Sequence, residues 1–121
     1  MTSVVITGMA RDRAAALAAD TAAGRIEILS DSDYEGAIAV QSGQVDYYVG
    51  LCQSGAGGAL ALAIGLIGSK RARTVAPAGR PVAEDLIAAA LADGVVAFGV
   101  SVDHVDKAVP AIIRRILDHR A

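Results

Sequence analysis

The residue types that can do chemistry are concentrated in one stretch, Gly50-Leu51-Cys52-Gln53-Ser54-Gly55-Ala56-Gly57-Gly58, with one thiol, one hydroxyl and four glycines in nine residues. Glycine has no Cβ, so its backbone N–H can come close to a ligand. An apolar, helix-like segment follows, and a helix N-terminus favours an anion. Gln53, Ser54, Gly55, Ala56, Gly57 and Gly58 are therefore expected to bind a small anionic metabolite, a phosphorylated one among the candidates. Gly8, Arg11 and Ser101 are expected to join them from neighbouring strand ends. The same glycines also suit a tight turn and close helix–sheet packing. The loop matches neither G-x-x-x-x-G-K-[ST] nor G-x-G-x-x-G, so no nucleotide fingerprint is met, and no cofactor is expected. Cys52 sits where a helix N-terminus lowers a thiol pKa, which suits a nucleophile or phosphoryl acceptor. A free cysteine also serves as a small buried apolar side chain.

A second group lies at Ser101, Asp103 and His104. Asp103 and His104 are the best pair for acid–base work, because histidine titrates near neutral pH. Alternatively, Ser101 or Asp103 caps a helix and His104 is a surface residue. Arg11 and Arg80 can balance an anionic ligand, or simply be solvated on loops. Asp31, Asp33, Asp103 and His104 are potential metal ligands, but no ligand spacing supports a site and none is expected. His119 suits the C-terminal end of the last helix.

These residues need a frame, and the composition allows one. The 121 residues suit one domain, 1–121, with 54% hydrophobic and 20% charged residues. Aromatics are few (Tyr34, Tyr47, Tyr48 and Phe98), so the core must be Ala, Val, Ile and Leu. The 11 Lys and Arg are scattered and the net charge is −2, unlike the basic stripe of a nucleic-acid protein. The single cysteine rules out an internal disulfide. The first residues do not read as a signal peptide, and no apolar run reaches the ~20 residues of a membrane span. A cytoplasmic location is expected.

Strands are expected at Ser3 to Thr7, Arg25 to Ser30, Val45 to Gly50, Arg73 to Ala76 and Val95 to Val100. Helices are expected at Arg11 to Ala22 and Ser32 to Ser42, the latter with a Ser32–Glu35 capping box. Others are expected at Ala56 to Ile67, and from Pro81, which fits a first helical position. The last helix carries Val102, Val105, Val109, Ile112, Ile113 and Ile116 on one face. Pro110 inside it either kinks it or starts a new helix. Five strand–helix units in alternation predict a three-layer α/β/α fold with a five-stranded parallel sheet. The expected order is flavodoxin-like, 2-1-3-4-5, with a Rossmann-like variant second. Ligands of such sheets bind beyond the carboxyl ends of the strands, where all the candidate loops lie.

The segment 57–68 is apolar all round, whereas a helix outside a sheet normally has one wet face. A second copy of the chain is the expected cover, giving a homo-oligomer, although small Ala side chains can also line an exposed face.

SGQVDYYVGLCQSGAGGALALAIGLIG at 42–68 and VVAFGVSVDHVDKAVP at 95–110 resemble the YhfU-like proteins, a bacterial family of this length. The resemblance covers nearly the whole chain. It implies no particular activity and carries over no catalytic residue. Its members tend to be encoded near a transporter-like protein and metabolic enzymes, which implies a role in small-molecule metabolism or uptake. The strand–CxSGxG–helix pattern is also similar to ribose-5-phosphate-type isomerases, whose glycine loop holds a phosphate. A small flavodoxin-like chain is similar to the B components of phosphotransferase systems too. Those place their acceptor cysteine after the first strand, where this chain has Gly8 and Met9.

Overall fold

The structure is a computed structural model that describes residues 1–121. Five strands form one parallel sheet: β1 (Ser3–Gly8), β2 (Glu27–Ser30), β3 (Tyr47–Cys52), β4 (Ala72–Ala76) and β5 (Ala97–Ser101). Five helices alternate with them: α1 (Arg11–Ala22), α2 (Asp33–Gln41), α3 (Gly58–Ile67), α4 (Glu84–Ala92) and α5 (Val105–His119). The strands are rich in β-branched and apolar residues, and the helices carry apolar faces at 3.6-residue spacing. Helices α1, α4 and α5 cover one face of the sheet over a cluster of 24 buried residues. Helices α2 and α3 cover the other over a cluster of nine. This is the expected α/β/α sandwich.

The strand order is β2-β1-β3-β5-β4, which corrects the expected placement of the last two strands. The reason is polarity. β5 is buried along its whole length, which requires neighbours on both sides. β4 carries exposed Arg73, paired with Asp93 at 3.1 Å, and tolerates an edge.

Two local expectations are also corrected, and the alternatives left open at Pro110 are narrowed. Helix α4 starts at Glu84 behind Ala83, so Pro81 lies in the preceding loop and not at a first helical position. Pro110 neither ends nor starts a helix: α5 runs unbroken from Val105 to His119, after a 3-10 turn at Val102–His104. The proline gives up one N–H near the N-terminal end, and the buried stripe Val105, Val109, Ile112, Ile113, Ile116 holds the helix in place. At α2, Ser32 accepts the Glu35 N–H at 3.2 Å, but the Ser32 N–H goes to Asp31 at 2.8 Å and not to Glu35.

Candidate functional site: a thiol cradled by its own loop

β3 ends at Cys52 in the middle of the sheet, between β1 and β5. The chain then folds back over its own last residue. Gly55 and Gly57 each donate an N–H to Cys52 Sγ at 3.1 Å. The Ala56 N–H goes to Ser54 Oγ at 3.1 Å. The loop carbonyls face the other way: Gln53 O accepts from Ser101 Oγ at 2.9 Å, Ser54 O from Ala78 N–H at 3.2 Å, and Gly55 O from Thr74 Oγ1 at 2.8 Å. Residues of β4, β5 and the loop after β4 thus fasten the peptide units so that two N–H groups converge on the sulfur.

Two glycines make this approach possible. Gly55 has φ +85°, a conformation costly for other residues. On β5, a Cβ at Gly99 would lie 2.1 Å from Gly55 O, so only glycine lets the loop lie flat on the strand.

Cys52 is half-buried. Burial pushes its thiol up, but the backbone N–H groups of Gly57, Ser54 and Gly55 more than offset this, so its pKa falls below the ordinary thiol value. The N–H groups expected to face a ligand are therefore spent on the thiol. The donors left without a partner in the chain lie further on, at Gly58, Ala59 and Leu60 in the first turn of α3.

The other candidates fall into place around this loop. Ser101 is buried, and its hydroxyl meets Asp103 Oδ1 as well as Gln53 O. The Ser101 hydrogen bond holds the Asp103 carboxyl below its usual range. His104 Nε2 lies 3.1 Å from Pro77 O; a carbonyl only accepts, so Nε2 donates to it, and Nδ1 has no partner in the chain. Asp103 and His104 thus have separate partners. Beside them is the largest concavity, about 380 Å³, lined by Pro81, Val82, Asp103, His104, Asp106 and Lys107.

Gly8 has φ +93°, and a Cβ there would lie 2.0 Å from Leu51 O. Its demonstrable task is this close approach to β3, next to the bond from Met9 N–H to Leu51 O. Arg11 opens α1 and Arg80 follows β4; neither makes an ion pair. Asp31 and Asp33 follow β2, apart from Asp103 and His104, and no three His, Cys, Asp or Glu side chains come together. Thr74 and Ala78, which anchor the loop, had no sequence signal, because the pairing of β4 with β5 brings them there.

The sheet, with a thiol loop at the carboxyl end of its central strand, defines a flavodoxin-like α/β protein. By its sequence the chain belongs to the family described as "Protein of unknown function DUF2620", matched over residues 2–116. It is 40% identical to the "Uncharacterized protein YhfU" of Escherichia coli K12 over 116 residues, 96% of this chain and 99% of that one. The protein of that name in Shigella flexneri matches to the same extent. Among solved structures, the type B ribose 5-phosphate isomerase of Trypanosoma cruzi superposes with a TM-score of 0.69. The match covers 98% of this chain and 93% of that one at 13% identity, a likeness of fold. No helix is long and apolar enough to cross a membrane.

Proposed function

We propose that this protein binds a small phosphorylated metabolite at the carboxyl rim of the sheet, and that Cys52 moves a proton on it. The observation that carries this reading is the cradle: two loop N–H groups end on Cys52 Sγ and favour its thiolate. A thiolate of this kind is a base as well as a nucleophile. It takes a proton from a carbon next to a carbonyl, leaving an enediolate and a neutral thiol. The thiol then returns a proton to the adjacent carbon, while the hydroxyl proton passes from one enediolate oxygen to the other. This balances with no oxidant and no cofactor, as an aldose–ketose interconversion requires. The unpaired N–H groups at the start of α3, with Arg11 and Arg80 on the same rim, supply positive potential for the anion. The fold likeness to a ribose 5-phosphate isomerase is consistent with this chemistry. His104, with Nδ1 free, and Asp103 are the further acid–base candidates.

Thermal shift with inorganic phosphate and ribose 5-phosphate tests the binding. A ligand at ~100 times its Kd adds about 2.7 kcal/mol of stability. The expected result is a shift with wild type that is lost in Gly57→Val, whose side chain would crowd Cys52 from 3.2 Å. Folded wild-type protein that shifts with no phosphate compound overturns the reading.

A second reading is a non-catalytic oligomeric subunit or regulator, associated with itself or with a transporter through 57–68. The observation in its favour is α3, which has no charged residue and leaves Ile64 exposed beside half-buried Leu62, Leu66 and Ile67.

A further inference from the structure

Tyr48 is the largest fully buried side chain, and its hydroxyl needs a partner that a phenylalanine would not. Along β3, Tyr48, Gly50 and Cys52 alternate onto the face under α2 and α3. The partner is Ala59 of α3, whose carbonyl accepts from Tyr48 Oη at 2.5 Å. A carbonyl has two lone pairs, so this bond does not compete with the helix. Burial pushes the phenol up to about 12, although the Thr7 hydroxyl acts the other way, so Tyr48 stays protonated as the donor. The ring cannot turn aside. A Cβ on Gly36 of α2 would lie 3.3 Å from Tyr48 Cε2, and one on Gly50 would lie 3.0 Å from Cε1. The two glycines thus close on opposite edges of the ring and fix where the hydroxyl points. The Gly50 Cβ would also lie 2.9 Å from Ala59 Cβ, so the first turn of α3 rests on β3 between Tyr48 and Cys52.

That turn carries one of the two donors of the thiol cradle. Gly57 is the N-cap of α3, and its carbonyl accepts from the Ala61 N–H at 2.9 Å. Its own N–H ends on Cys52 Sγ at 3.1 Å. Gly57 and Ala59 are two residues apart at the start of one helix, so a shift of the turn moves both. Gly55, the other donor, is held separately, by Thr74 of β4 and by the bare backbone of Gly99 on β5.

We propose that Tyr48 is a positioning residue: its hydroxyl pins the first turn of α3 and so aims the Gly57 N–H at Cys52 Sγ. Its bearing on catalysis rests on the proton-transfer reading above; its effect on the thiol does not. The test is the pH profile of Cys52 alkylation by iodoacetamide in wild type, Tyr48→Phe and Val40→Ala. Tyr48→Phe keeps the ring and removes only the hydroxyl. Val40→Ala loosens the same layer and leaves the hydroxyl in place. The expected result is a midpoint raised by about one pH unit in Tyr48→Phe, the worth of one hydrogen bond to a charged group, and an unchanged one in Val40→Ala. An unchanged midpoint in Tyr48→Phe overturns the proposal. An equal rise in Val40→Ala also overturns it, because any loosening of the layer would then do the same. Should Tyr48→Phe fail to fold, by circular dichroism, Gly50→Ala lifts the same turn and is expected to raise the midpoint; no rise there overturns the proposal. The acid limb of ribose 5-phosphate turnover is expected to move up with the alkylation midpoint. Wild type that turns over no ribose 5-phosphate removes the metabolite reading alone, and the alkylation profiles still decide the role of Tyr48.

Discussion

Cys52 owes its acidity to peptide dipoles, since no Lys, Arg or His side chain contributes to its shift. That origin gives two signatures. First, the fold stabilises the thiolate, so the folded pKa lies below the unfolded one. The resulting stability is fully present above the unfolded thiol value, ~8.5, and is lost as pH falls through the folded value. The stability of wild type relative to Cys52→Ser is predicted to rise with pH across that window. Second, alkylation by iodoacetamide is predicted to reach half its maximal rate below the ~8.5 of an ordinary thiol. Added salt should leave this profile nearly unchanged, because fixed N–H groups at contact distance are screened little. An alkylation midpoint at or above the ordinary value would remove the thiolate from the mechanism. Composition was enough to single out Cys52, the one cysteine, and its loop. The cradle was not legible, because which way a peptide unit points depends on φ and on distant anchors such as Thr74.

The loop after β3 acts as a clasp at the level of elements. It is fastened to β4 by Thr74 and to β5 by Ser101, and rests on the bare backbone of Gly99. Gly99→Ala is therefore predicted to cost about 1–3 kcal/mol of stability in chemical denaturation, as an overpacked core site does. It should also raise the Cys52 pKa as the loop lifts. A variant of wild-type stability with an unchanged alkylation profile would show that the loop does not depend on this contact. Most elements could be read from the sequence because their periods and stop signals were local. Gly24, Gly43, Gly68 and Gly94 all follow a helix with positive φ. The failure at Pro81 was non-local: it looked like a helix start but stands in a loop. Pro110, left open by the sequence, stays inside α5 because the buried face of that helix outweighs one missing hydrogen bond.

On the scale of the molecule, sequence alternation gave the layers but not the order of β4 and β5, since both orders satisfy the same pattern. Burial decides it, and the apolar run of β5 beside charged Arg73 held that information. The outer face of α3 bears on assembly. With Ile64 37% exposed on a chargeless helix, the assembly reading predicts sedimentation above the monomer mass of 12.2 kDa, with Ile64→Glu returning the chain to it. Wild type sedimenting at the monomer mass would sink self-association through this face. The two layers are also unequal: 24 buried residues bind α1, α4 and α5 to the sheet, and nine bind α2 and α3. Local opening follows the thinner set of contacts. The α2–α3 side can therefore breathe while the larger core stays shut, giving this small rigid sandwich a soft half and a hard half. Thr7, fully buried beneath Gly36 of α2, lies under the soft half, where a covered polar group can be uncovered without unfolding the chain.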